Sequence, residues 1–426
     1  MKKFLVTLLI IVVVLAIGFF TFAPALFEKQ TNRVEADALP EMNHDSSAIE
    51  TQINKIDDKS LPIIRPEAQK LHDSLMIVDL HADTLLWKRR ITDAVDYGHV
   101  DLKRMQKGNV GLQIFSSVTK TPKDQNYDRN SADTDNITLL AVAQLQPIRT
   151  WFSLLERQLY HAQKLDEAVT ASDGAMVAIS TSGHVNGLAL ARSKNEKMVG
   201  ALFSAEGLQT LEGKRENLDK LYNSGMRMAG LVHFFDNELA GSMHGEEKGG
   251  LTDFGRQIVR DMEAKGMIVD IAHSSHETVS DILKIARRPV VSSHGGVQAV
   301  CGVNRNLSDA EIKGVAATGG IIGLGYWAGA MCDTDPKSVA KAAKHIRDLV
   351  GIEHAALGSD FDGATTTRFD TSGIVHITQA LMDTGFTEAE IRAIMGGNAL
   401  RVLQQGLIPL NDLPKQAVEQ TSETGQ

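Results

Sequence analysis

Eight short apolar runs recur between residues 76 and 363, and they restrict the fold of this chain more than any other feature. They are MIVDLHAD (76 to 83), GLQIFSSV (111 to 118), MVGALFSAEG (198 to 207), MRMAGLVHF (226 to 234), GMIVDIAHSS (266 to 275), RPVVSSHGG (288 to 296), GGIIGLGYW (319 to 327) and HAALGSDFDG (354 to 363). A strand with one wet face alternates apolar and polar residues, whereas a strand covered on both faces is apolar throughout. These runs are of the second kind. Helical stretches lie between them: Thr252 to Lys265 puts Phe254, Ile258, Val259 and Met262 on one face and stops at Gly266, and Ser308 with Glu311 makes a capping-box pattern. With no break in composition from Pro62 to Leu407, the alternation predicts one (β/α)8 barrel of TIM type, an α/β fold, over residues 62–411.

The ends of the chain read differently. Met1, Lys2 and Lys3 precede an uncharged, mostly apolar run from Phe4 to Ala23, long enough to cross a hydrocarbon core as a helix. Positive charge ahead of such a run favours a cytoplasmic N-terminus, which places the rest of the chain across the membrane, on a periplasmic or outer face. The segment Phe22 to Phe27 makes a poor cleavage site, so residues 1–27 are expected to be an uncleaved anchor; cleavage there would instead make the protein secreted. Residues 28–61 are polar and lack an apolar period, as in a stalk, and residues 412–426 read as a disordered tail. The net charge of −9 and the absence of a long Lys/Arg run exclude nucleic acid as the main partner. The only cysteines, Cys301 and Cys332, are either one disulfide or two buried thiols, and both readings stay open. One interval breaks the rhythm: residues 119–169 form an insertion with a polar loop (Lys120 to Asn136) and a helical run from Ile137 to Val169, either over the barrel mouth or outside it.

Active sites of such barrels lie at the C-terminal ends of the strands. Those ends carry His81 and Asp83, Glu206, His233, His273, His294, and Asp360 with Asp362. Imidazole and carboxylate without thiolate suit catalytic Zn²⁺. The set exceeds what one tetrahedral ion takes, so two ions sharing Glu206 are expected: His81, Asp83 and Glu206 for the first, Glu206, His273 and His294 for the second. Two such ions clamp a bridging hydroxide and polarise a carbonyl, which points to hydrolysis. Asp360, preferred over Asp362, would shuttle the proton from the attacking water to the leaving amine. His233 would bind the carbonyl oxygen as charge develops on it, and Arg305 could grip a substrate carboxylate in a fork geometry.

The motifs VDLHADTL, SAEG, LVH, GLTDFGRQIVRDMEAKGMIVDIAHSS, VVSSHGG, GVNRNLSD, LGSDFDG and GGNALRVL, spread from about Leu75 to Leu407, resemble the membrane dipeptidase family (renal dipeptidase, peptidase M19) of the amidohydrolase superfamily. The resemblance implies a dinuclear zinc dipeptidase in which His81, Asp83, Glu206, His273 and His294 bind metal, His233 and Arg305 bind substrate, and Asp360 is catalytic. It further implies dipeptide substrates, in some members with a D-residue at the C-terminal position, and in some β-lactams. The long insertion and the N-terminal anchor depart from mammalian relatives, which carry a C-terminal lipid anchor. The expected partners are a dipeptide and the membrane, with a homodimer left open. Two alternatives stand beside this reading: a related amidohydrolase acting on a lactone or an N-acyl amino acid, and a non-catalytic anchored protein that binds metal or peptide.

Overall fold

The computed structural model describes residues 2–34, 61–194 and 196–409. Eight parallel strands close into a barrel: β1 (Ile77–Ala82), β2 (Val110–Phe115), β3 (Val199–Ala205), β4 (Met226–Gly230), β5 (Ile268–Asp270), β6 (Val291–Ser292), β7 (Ile321–Leu324) and β8 (Ala355–Leu357). Each pairs with the next around the ring, β2 with β3 included, Leu112 opposite Gly200 and Phe115 opposite Phe203, and β8 returns to β1. Every residue of these strands is buried, the consequence of a filled interior on one side and a helical layer on the other. The expected helix appears as Asp253–Ala264, capped by the Thr252 side chain, with Ile258, Val259 and Met262 buried against the barrel. Ser308 and Glu311 form the capping box of the helix Asp309–Ala317.

The insertion is not one helix. It forms α2 (Asn136–Ala143), α3 (Arg149–Phe152) and α4 (Leu154–Ala171), following α1 (Lys2–Thr31) at the N-terminus. The run breaks where Leu145 takes a left-handed φ of 56°, just before Pro147, and again at Ser153, which is extended and caps α4. The pieces then take both of the positions left open. α4 packs outside on β3 and on the short added strand Met176–Ala178, while α2 lies beside α1.

Among the described residues one helix, α1, is long and apolar enough to cross a membrane. It runs four residues beyond the expected anchor. Pro24 within it has no N–H for the Phe20 carbonyl one turn back, and the Lys88 ammonium donates to that carbonyl instead, at 2.8 Å. Glu28 is buried against Arg89 at 2.5 Å, and Arg89 in turn meets Asp362 at 2.5 Å. Arg33–Val34 then pairs in parallel with Thr366–Thr367. The first residues of the expected stalk are thus part of the domain surface, because Glu28 finds a buried cation and the backbone finds a free strand edge. Residues 35–60, which hold most of that stalk, and the expected tail 412–426 lie outside the described residues.

Candidate active site

Each ligand-type residue leaves the barrel within three residues of a strand end: Asp83 after β1, Glu206 after β3, His233 after β4, His273 after β5, His294 after β6 and Asp360 after β8, with His81 in the last turn of β1. All are buried. Two of them sit at backbone positions that ordinary residues seldom adopt, His273 at φ 63° and Asp360 at 59°, and the neighbouring Asp362 does so too at 62°. Such strain persists where the surrounding structure enforces a side-chain direction.

Glu206 is the hub. Its Oε1 lies 2.7 Å from His273 Nε2, 3.1 Å from His294 Nε2 and 3.7 Å from His81 Nε2, and its Oε2 lies 3.6 Å from His233 Nε2. His81 Nε2 is 3.3 Å from Asp83 Oδ2 and 3.9 Å from Asp360 Oδ1. Three triads bring donor atoms within reach of a common ion: His81, Glu206 and His294; Glu206, His233 and His273; His81, Asp83 and Asp360. They share Glu206 and His81 and do not by themselves divide the donors into two ions. Behind the rings, Ser293 Oγ is 2.9 Å from His294 Nδ1 and 3.4 Å from His81 Nδ1, which holds both Nε2 atoms toward the centre.

The electrostatics are those of a site built around positive charge. Burial, and then the nearby Asp83 charge, hold the Glu206 carboxyl well above the usual range. Burial lifts Asp360 to about 8 despite the opposing effect of His81. Burial would keep His81 neutral, yet the charges of Asp83 and Glu206 outweigh it and lift the imidazole to about 10. His273 and His294 are pushed far down, first by burial, and stay neutral with lone pairs to offer. Their Nε2 atoms face each other at 3.0 Å, and Asp83 Oδ1 is buried with no hydrogen-bond partner. Crowded carboxylates, converging neutral imidazoles and an orphaned carboxylate oxygen fit metal ions of the zinc type, and the thiols are spent elsewhere.

Arg305 borders the same cavity, buried, with Nη2 donating to the His294 carbonyl at 2.9 Å and the guanidinium over the Trp327 ring at 5.8 Å. A disulfide between Cys301 and Cys332 ties its loop to the segment that follows Trp327. Asp362 does not join the centre: its carboxylate accepts from Thr84 (2.8 Å), Arg89 (2.5 Å) and the His99 backbone (2.6 Å). Of the two aspartates at this strand end, Asp362 is turned away from Asp360 by the left-handed backbone at both residues, where strand alternation no longer holds. Three site residues were not anticipated. Tyr127 and Trp327 come from the loops after β2 and β7, the two strands without a ligand, and the Trp327 indole donates to Tyr127 Oη at 3.0 Å. His244 stacks on Phe234 at 4.4 Å, 5.4 Å from His273. No spacing rule marks Tyr127 and His244, which lie in loops far from any strand end, whereas Trp327, three residues past β7, stands at a strand end like the donors.

Across residues 65–409 the chain matches the family described as membrane dipeptidase, peptidase family M19. The chain belongs to that family. This membrane dipeptidase family member is thereby a hydrolase of peptide bonds, in agreement with the expectation from its motifs. It is 31% identical over 351 residues to dipeptidase aclJ of Aspergillus oryzae, covering 77% of each chain, and 28% identical over 356 residues to dipeptidase verJ of Clonostachys rogersoniana, covering 79% of this chain and 86% of that one. Its barrel superposes on the probable dipeptidase PvdM of Pseudomonas aeruginosa with a TM-score of 0.67 at 18% identity, over 80% of this chain and 97% of the other. A Rhodobacter sphaeroides metallo peptidase, solved with a phosphinate mimic of L-Ala-D-Ala, gives a TM-score of 0.64 at 21% identity, over 78% and 99%. At these identities the structural matches speak for the fold.

Proposed function

We propose that this protein is a dinuclear zinc dipeptidase, anchored by α1 with its barrel domain outside the cytoplasm. The observation that carries the proposal is the convergence of His233, His273, His294, Asp83 and Asp360 on Glu206 and His81, with a buried arginine bordering the same cavity. His81, Asp83 and Glu206 would hold one ion, and Glu206, His273 and His294 the other, with Glu206 shared. The ions would supply Lewis acidity, activating water and polarising the scissile carbonyl.

The chain's own groups do the rest. Arg305 is not engaged by any ion pair among the described residues, so its guanidinium is available to the substrate's terminal carboxylate and sets substrate length. His233, held neutral and lowered to about 3 by burial, is placed beside Glu206 to meet the carbonyl oxygen. Asp360, on the opposite flank of His81, would take a proton from the attacking water and deliver it to the departing amine. The domain boundaries follow the same reading: anchor 1–27, stalk 28–61, barrel 62–411 with insertion 119–169, and tail 412–426. α1, about 45 Å long, exceeds a hydrocarbon core, so its last turns stand clear of the bilayer and reach the barrel.

A panel of L,L- and L,D-dipeptides, run with metal analysis of the same sample, tests the proposal. Turnover with about two zinc per chain, lost on chelation and restored by zinc, is expected. Failure to cleave any dipeptide at full metal loading would overturn it, and cleavage of lactones or N-acyl amino acids in that case would move the chain to the neighbouring amidohydrolase reading.

A further inference from the structure

The cavity that holds the donor cluster is about 810 Å³, a volume suited to a ligand well beyond a small dipeptide, and only part of it is polar. Its far wall is apolar and comes from two unexpected elements. From α1, Phe19, Ala23, Phe27 and Thr31 line it, a spacing of four that puts them on one stripe of the helix. From α2, Leu139, Leu140 and Ala143 face them. Pro24 lines it as well, and Phe19, Phe27 and Leu139 are 57%, 51% and 70% exposed, so the wall is only half covered by the protein itself.

This wall has a definite place relative to the reacting groups. The end of α1 is fixed on the loops after β8 and β1: the Ala364 N–H donates to Asn32 Oδ1 at 2.9 Å, the Arg33 N–H donates to the Thr365 carbonyl at 3.2 Å, and Lys88 and Arg89 hold the helix itself. Arg305 and Trp327 border the same cavity from the loops after β6 and β7. Within that one cavity, a substrate whose carboxylate pairs with Arg305 and whose scissile carbonyl lies over the cluster has the α1 and α2 wall left for its amino-side residue.

We propose that α1 and α2 form a specificity chamber for a large apolar side chain on the amino-side residue of the substrate. The proposal rests on the dipeptidase reading above and adds the substrate class. It makes the anchor helix a wall of the binding site, so the chamber exists only in the chain that retains α1.

The test uses the full chain in phospholipid nanodiscs, with Xaa-Ala substrates in which Xaa is Ala, Leu, Phe or 2-aminodecanoic acid. Relative to Ala-Ala, kcat/KM for the 2-aminodecanoyl substrate should rise by at least roughly tenfold, since every buried methylene favours binding. Ala23→Trp on α1 and Ala143→Trp on α2 each fill the chamber from one wall. Each should lower that ratio by about tenfold or more, and two independent variants guard against one that does not fold. A wild-type ratio near one, or a ratio unmoved by both variants, overturns the chamber. If no dipeptide is turned over, the dipeptidase reading fails on its own, and calorimetric binding of the same two ligands decides the chamber: equal affinity for both would reject it.

Discussion

Replacing Arg89 by methionine should destabilise the protein more than any change on the surface of the same segment. Arg89 is buried between two carboxylates, Glu28 and Asp362, with side-chain exposures of 2%, 2% and 0%. Its guanidinium also donates to the Val100 carbonyl. Methionine fills much of the volume but leaves two buried carboxylates without a countercharge, a change that costs about 3–5 kcal/mol in comparable sites. For a domain of about 340 residues the unfolding entropy is roughly 0.7 kcal/mol/K, so the midpoint should fall by about 4–7 °C. Scanning calorimetry of the full chain in detergent reads this directly. The control is Lys29→Ala, which removes the Lys29–Asp96 pair on the same helix end; its partners are 56% and 83% exposed, and screened pairs of that kind contribute little. A shift within about one degree is expected there. If Arg89→Met moved the midpoint no further than Lys29→Ala, the network would be solvated and the helix end would not be docked on the barrel.

Other expectations concern the chemistry. Asp360→Asn should lower kcat by roughly 10²–10⁴, with zinc content and KM little changed; loss of metal instead would make Asp360 a ligand rather than a proton carrier. Arg305→Met should cut kcat/KM for a dipeptide by about 10–100-fold and leave a dipeptide amide nearly unaffected, and equal losses on both would remove its role in reading the carboxylate. Without metal, His81 is raised to about 10, so it holds its proton at neutral pH and, as an expected ligand, must release it as metal binds. Zinc affinity should accordingly strengthen as pH rises toward 8, and calorimetry in buffers of different ionisation enthalpy should show net proton release near pH 7; no dependence on buffer would contradict it.

The barrel could be read from the chain because its strands are buried on both faces, which turns each into a continuous apolar run that no surface strand would show. The donor residues could be read because the fold concentrates chemistry at one end of those runs, so that Glu206, His273 and His294 mark the site merely by following β3, β5 and β6. Strand alternation does not extend past a strand end. Asp362, two residues after Asp360, leaves the centre for Arg89 and Thr84, since alternation is a property of extended backbone and both residues are left-handed. The helix expected from Ile137 to Val169 was right in content but not in continuity. Both interruptions have a signal in the sequence: Pro147 disfavours helical backbone just before it, where Leu145 turns left-handed, and Ser153 is an N-cap residue type that starts α4.

The N-terminal segment marks a different boundary of sequence reasoning. Apolar length identified a membrane-crossing helix, and polarity after Phe27 suggested a linker; both inferences treat the segment as a solute of lipid or water. Neither can register that Glu28 has a buried partner 61 residues away, or that the carbonyl released by Pro24 is answered by Lys88. These contacts are between single polar groups and surfaces that exist only once the barrel has closed. The stripe of Phe19, Ala23, Phe27 and Thr31 gains its meaning in the same way: a spacing of four in an apolar helix is unremarkable until the opposite wall of a cavity is found to be a cluster of metal-ligand side chains. A helix long and apolar enough to cross a membrane is held here at one azimuth by Arg89, Lys88 and the strand Arg33–Val34, and a helix fixed in rotation presents one face to the cavity.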